Sequence, residues 1–125
     1  MYIPDGMLCT TTHEWIAEKD NVATIGLTDV AIKHLGEVLF IEFPEIGTNY
    51  SKDEPFITIT STKGANELYM PVSGEITEIN EQLINSVELI NEDSYSNWLV
   101  RIKPEDFIND SANLMDYNDY IDEIN

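Results

Sequence analysis

Lys63 stands in a run of small residues, Ser61-Thr62-Lys63-Gly64-Ala65, between two stretches that read as strands. That setting predicts a hairpin tip with the lysine amine projecting into water. Neighbours too small to obstruct approach suit such an amine to a modifying enzyme. On residue type alone the same lysine also reads as an ordinary solvated turn charge. The other basic residues, Lys19, Lys33, Lys52, Arg101 and Lys103, sit near strand ends, on a polar stretch or on a helix, where a hydrated charge needs no further account. His13 and His34 are not at metal-ligand spacing with each other or with Cys9, so no zinc pattern is present. No local motif activates Cys9, which reads as a small buried or edge residue.

The elements that must hold Lys63 are mostly short strands. Glu14 to Lys19 and Val22 to Leu27 flank Asp20-Asn21, a good hairpin turn. Thr28 can cap a helix in which Val30, Ala31 and Leu35 face inward and Gly36 takes the stop position. Val38 to Phe43 resumes as a strand and stops at Pro44. Pro55 to Thr60 alternates apolar and hydroxyl residues at period two, the pattern of a half-buried strand. Glu67 to Met70 and Gly74 to Ile79 flank the turn Pro71-Val72-Ser73-Gly74, and Trp98 to Lys103 forms the last strand. Leu114, Tyr117, Ile121 and Ile124 recur at three- and four-residue spacing, so one amphipathic helix or two short ones should pack on the sheet, capped at Ser111 or Asp116. The expectation is one mainly β domain over residues 1–125, with a β core over about 7–103 and a helical tail over about 104–125.

Charge and composition narrow the function classes. A net charge of −18 on 125 residues repels nucleic acid and anionic membranes, and favours partners with basic docking patches found by electrostatic steering. The single cysteine allows no internal disulfide, which fits a reducing compartment. No apolar run approaches the roughly 20 residues of a membrane helix, and the N-terminus resembles neither a signal peptide nor an Arg-rich transit peptide. A monomer that binds neither nucleic acid nor membrane is expected.

Several short stretches, in order, carry a family likeness: Thr12-His13-Glu14-Trp15, Val22-Ala23-Thr24-Ile25-Gly26-Leu27-Thr28-Asp29, Leu35-Gly36-Glu37-Val38, Pro44-Glu45-Ile46-Gly47, Ser61-Thr62-Lys63, Pro71-Val72-Ser73-Gly74-Glu75-Ile76, and Leu89-Ile90-Asn91-Glu92 ahead of Tyr95 and Trp98. In this order and spacing the chain resembles the glycine cleavage H-protein family, from about Met7 to Ile124. The resemblance implies a flattened hybrid of barrel and sandwich, of the lipoyl/biotinyl kind, with short peripheral helices and a C-terminal helical tail. It implies lipoic acid in amide linkage on Lys63, and a carrier that is not itself an enzyme. Biotin-bearing domains usually set their lysine between two methionines, whereas Thr62 and Gly64 flank Lys63.

Acylation would extend the lysine by an arm reaching on the order of 10 Å beyond the turn, ending in a disulfide that can accept a carbon fragment on one sulfur. Tethering raises its local concentration at whichever partner is docked. The resemblance implies a pyridoxal-phosphate glycine decarboxylase that loads an aminomethyl group, a tetrahydrofolate-dependent aminomethyltransferase, an FAD-containing dihydrolipoyl dehydrogenase, and a lipoate-attaching enzyme. A loaded arm ending in a cationic amine needs shelter lined by carboxylate. Family precedent points to Glu14, with Glu67 and the Thr12 hydroxyl in support and His34 and Leu35 as a further wall. An H-like relay that donates lipoate to other lipoyl enzymes is the competing expectation. The compartment would be the cytoplasm in a bacterium, or the mitochondrial matrix for a processed eukaryotic chain.

The chain departs from the family pattern at four places. Thr60 stands where a glutamate three residues before the lysine usually aids recognition by the lipoate-attaching enzyme. Gly64 follows Lys63 in place of alanine, Glu67 replaces an aspartate on a longer stem, and Ser96-Asn97 stands where glycines often precede the tryptophan. None removes the attachment point.

Overall fold

A computed structural model describes residues 3–125. A two-residue strand, Leu8–Cys9 (β1), pairs with Glu14–Lys19 (β2), which turns at Asp20-Asn21 into Val22–Leu27 (β3). Both turn residues have positive φ, 53° and 63°, the left-handed pair that a two-residue hairpin requires and that Asp and Asn tolerate. Thr28 then caps Asp29–Leu35 (α1), its hydroxyl accepting from the Ala31 N–H, and Gly36 ends the helix at φ 73°. The remaining strands are Val38–Glu42 (β4), Asn49–Tyr50 (β5), Pro55–Ser61 (β6), Gly64–Tyr69 (β7), Gly74–Ile79 (β8) and Val100–Pro104 (β9). Single-turn helices Gln82–Asn85 (α2) and Leu89–Glu92 (α3) bridge β8 and β9, and Phe107–Asp110 (α4) and Tyr117–Ile124 (α5) follow β9.

The strands form two antiparallel sheets that do not close into a barrel. One is six-stranded, in the order β1-β2-β3-β9-β8-β5; the other is three-stranded, β4-β6-β7. Between them lies an apolar core that includes Ile16, Ile25, Leu27, Ile59, Ile76 and Ile102, each fully buried. Each such side chain contributes roughly 1.5–3 kcal/mol relative to exposure. A second cluster, Met7, Cys9, Trp15, Tyr95 and Tyr120, seats α5 against the β1 edge. The expected mainly β hybrid with short helices and a helical tail is what forms.

Differences from the sequence reading have local causes. Of the alternatives left open for the tail, two short helices form, and Asp116 caps the second, accepting from the Asp119 N–H, while Ser111 terminates α4. β7 begins at Gly64, earlier than Glu67, because Ser61 and Gly64 already pair across the turn. The last strand begins at Val100, since Trp98 spends its carbonyl on the Asn80 amide instead of the ladder. Among the described residues no helix is long and apolar enough to cross a membrane.

Candidate functional site

β6 and β7 pair down to Ser61↔Gly64, which leaves Thr62-Lys63 as the loop. The Ser61 hydroxyl accepts from the Lys63 N–H at 3.2 Å and donates to the Gly64 carbonyl at 3.4 Å. Gly64 has φ 126°, which a β-carbon would make costly. From outside, the Thr62 N–H donates to the Glu37 carbonyl at 3.0 Å, docking the loop on the turn between α1 and β4. That turn is pinned in its own right: the Asn91 amide donates to the Gly36 carbonyl at 2.8 Å and accepts from the Val38 N–H at 2.9 Å. The backbone around Lys63 is therefore tied down on both sides.

The Lys63 side chain is exposed. Its stem passes over Gly36, where an added β-carbon would lie 3.6 Å from Lys63 Cε. Among the described residues the ammonium has no ion-pair partner; the one salt bridge, Arg101 with Glu78 at 3.2 Å, lies elsewhere. His34 and Leu35 directly precede Gly36, so the helix end bearing them is the end Lys63 lies against. Leu35 is buried in the core, whereas the His34 side chain is exposed.

Glu14 opens β2 and is fully buried. Its Oε1 accepts from the Thr10 and Thr12 hydroxyls, each at 2.5 Å, and its Oε2 accepts from the Tyr69 N–H at 3.0 Å. Burial pushes the carboxyl above its usual range, and the hydrogen bonds from Thr10, Thr12 and Tyr69 oppose that shift. Such donors stabilise the charged form and offset part of the cost of burying it. Glu14 and Thr12 border a cavity of about 460 Å³, together with Cys9, Lys52, Asp53, Tyr69, Met70 and Met115 among others. Thr10 and Tyr69 are not among the residues that the sequence singles out. The triplet Thr10-Thr11-Thr12 ahead of Glu14 was the available signal for the first, while the second is a backbone donor that no side-chain pattern announces.

Glu67 lies apart from that cavity. It is exposed on β7 opposite Thr58 and borders a separate cavity of about 250 Å³ with Glu42 and Tyr50. The structure thus joins Glu14 with Thr12, sets His34 and Leu35 at the corner beneath Lys63, and leaves Glu67 on an outer face. His13, with φ 74°, puts its ring 5.2 Å from that of His34, edge to face. Its Nδ1 is 2.5 Å from the Tyr120 hydroxyl, which lies 2.9 Å from the Thr28 hydroxyl. Cys9 is free and buried, and burial raises its thiol to about 12, which makes it a poor nucleophile. Among the described residues no group of three or more His, Cys, Asp or Glu side chains could hold a metal ion.

Against this geometry, the model of the family described as glycine cleavage H-protein matches residues 7–125. The chain belongs to the glycine cleavage H-protein family. It is 42% identical over 121 residues to a probable glycine cleavage system H protein of Picrophilus torridus, covering 97% of this chain and 98% of that one. A glycine cleavage system H protein of Rubrobacter xylanophilus is 47% identical over 102 residues, 81% of each chain. The crystal structure of a glycine cleavage system H protein from Mycobacterium marinum superposes with a TM-score of 0.86 at 30% identity, covering 98% of both chains. Members of the H-protein family are lipoyl carriers of the glycine cleavage system, and the hybrid of two unclosed sheets seen here is the fold they share.

Proposed function

We propose that Lys63 is the lipoyl attachment point, and that the chain acts as a non-catalytic carrier for the enzymes of glycine cleavage. The observation that carries this reading is a lysine at a braced hairpin tip, bordered by small residues, without an ion-pair partner among the described residues and with its stem over Gly36. Those features fit an amide-linked arm: the amine is reachable and no ion pair has to be broken to acylate it. Lipoic acid bound there supplies a dithiolane whose sulfurs can take up and release a carbon fragment.

The residues of this chain have distinct parts. Ser61, Glu37 and Asn91 fix the base of the arm. Glu14, whose oxygens accept from three donors, is the group to receive a cationic amine in the cavity beside Thr12, where a cation's charge would favour the carboxylate. Gly64 and Tyr69 are five residues apart along β7, about 17 Å at strand rise, a span comparable to a lysine stem plus an arm of the length expected above. Glu67 and His34 would meet the arm or its partners at the outer edges, and Leu35 would support that wall from beneath. The partners in this reading are the pyridoxal-phosphate decarboxylase, the folate-dependent aminomethyltransferase and the FAD-dependent dihydrolipoyl dehydrogenase, reached by steering onto the acidic surface.

Intact-mass measurement of chain incubated with lipoate, ATP and a lipoate-attaching enzyme tests the assignment. One lipoyl adduct on Lys63, lost in Lys63→Arg, is expected; an unmodified chain under saturating enzyme would overturn it. Glycine–bicarbonate exchange by the decarboxylase, stimulated by the loaded chain and not by Lys63→Arg, tests the carrier role.

A further inference from the structure

β4 carries a bulge whose position is informative. Val38 pairs with Ser61 and Phe40 with Thr60, so Leu39 is the extra residue. The burial along Val38–Glu42 runs buried, exposed, exposed, buried, exposed, which means the bulge turns two consecutive apolar side chains to solvent. Leu39 is 52% and Phe40 60% exposed. A regular strand would alternate and bury one of them. Phe40 stands in one cross-strand row with Thr60 and Ala65, and the next row along the same face is Glu42, Thr58 and Glu67. The first row lies one pair below the closing Ser61↔Gly64 pair, hence roughly 7 Å from the loop apex by strand rise.

We propose that the bulge, through Leu39 and Phe40, is the docking surface for the enzyme that acylates Lys63; this rests on the lipoyl assignment above. In that reaction the Lys63 amine attacks the acyl carbon of an acyl adenylate. The amide C–N bond forms, the acyl–phosphate bond breaks, AMP leaves, and the amine proton passes to solvent. The acylating enzyme must bring its own reacting centre to Nζ, so its footprint has to cover the residues around the loop. Partners that work at the far end of a finished arm are under no such constraint. Charge defines the rest of the partner: an apolar pocket for Phe40, with a basic rim facing Glu42 and Glu67.

Acylation kinetics followed by intact mass test this, using a lipoate-attaching enzyme with ATP and lipoate. Phe40→Ser and the double variant Leu39→Ser/Phe40→Ser are expected to lower kcat/KM at least tenfold, chiefly through KM. Phe40→Met should retain most of the rate, and Glu42→Gln should flatten its dependence on salt. Thermal melting of each variant reports folding, and exposed side chains predict little change. Wild-type acylation on Lys63 with an undiminished rate in the double variant would overturn the docking surface alone. So would a loss confined to kcat, or a loss seen only in exchange by the decarboxylase. Failure of wild-type chain to be acylated would overturn the lipoyl assignment and this inference with it.

Discussion

Gly36 and Lys63 meet across the corner where α1 ends: a β-carbon on the glycine would sit 3.6 Å from Lys63 Cε and 3.3 Å from the Thr62 hydroxyl. The glycine itself is at φ 73°, ψ −148°, backbone that side-chain-bearing residues adopt only at a cost of about 1–3 kcal/mol. Gly36→Ala should therefore lower the unfolding free energy by an amount in that range, seen as a lower urea midpoint, and should press on the Thr62 hydroxyl at the base of the arm. An unchanged midpoint would mean that the corner is not held in this conformation.

Lys63→Arg should behave oppositely in the two assays. The ammonium has no ion-pair partner among the described residues, so folding stability should stay within about 0.5 kcal/mol of the parent, the range for surface changes. The lipoyl adduct should vanish entirely. A large stability loss would show that the amine has a structural bond the present geometry lacks.

Glu14 gives a pH signature. Its carboxyl has an ordinary value of 4.5, and burial raises it in the folded chain. Above 4.5 and up to the folded value, the folded chain holds more proton than the unfolded one, so stability falls as pH rises through that window and does not recover beyond it. Glu14→Gln carries no charge and should lack this fall. The difference in urea midpoint should thus move against the wild type as pH rises above 4.5. A flat difference would place Glu14 in contact with water.

The His13 imidazole should titrate below its ordinary 6.5, through burial first and the nearby His34 second. Proton NMR should show that shift, and His34→Gln should reverse only the second part. Because the unfolded chain binds the extra proton in this window, stability should fall as pH drops from about 6.5 through the folded value. An ordinary His13 titration would contradict the ring contact.

What the sequence made legible is local. Asp20-Asn21 between alternating runs, Thr28 and Gly36 at the two ends of a helix, and the period-two run from Pro55 each need only neighbouring residues to be read, and each formed as expected. The strands Leu8–Cys9 and Asn49–Tyr50 are too short to show a period, and single-turn α2 and α3 are too short to show an amphipathic face. The bulge at Leu39 depends on register with β6, which no local pattern encodes. At the site, Lys63 was legible because a turn is local. The donors to Glu14 come partly from Tyr69, 55 residues away, and the partner of His13 is Tyr120, 107 residues away. Leu35 fits the helical pattern, and the fold buries it; Gly36, next in the chain, is a residue the lysine stem lies beside.

One exposed ion pair serves a described surface on which acids outnumber bases by a wide margin. Mutual repulsion among those carboxylates is left to mobile cations, whose screening length is about 10 Å at 0.1 M salt and about 30 Å at 0.01 M. Dilution should thus loosen the fold by withdrawing its counterions, while the same dilution speeds encounter with any basic surface. The ionic strength that suits the resting chain and the one that suits its fastest partner exchange pull in opposite directions.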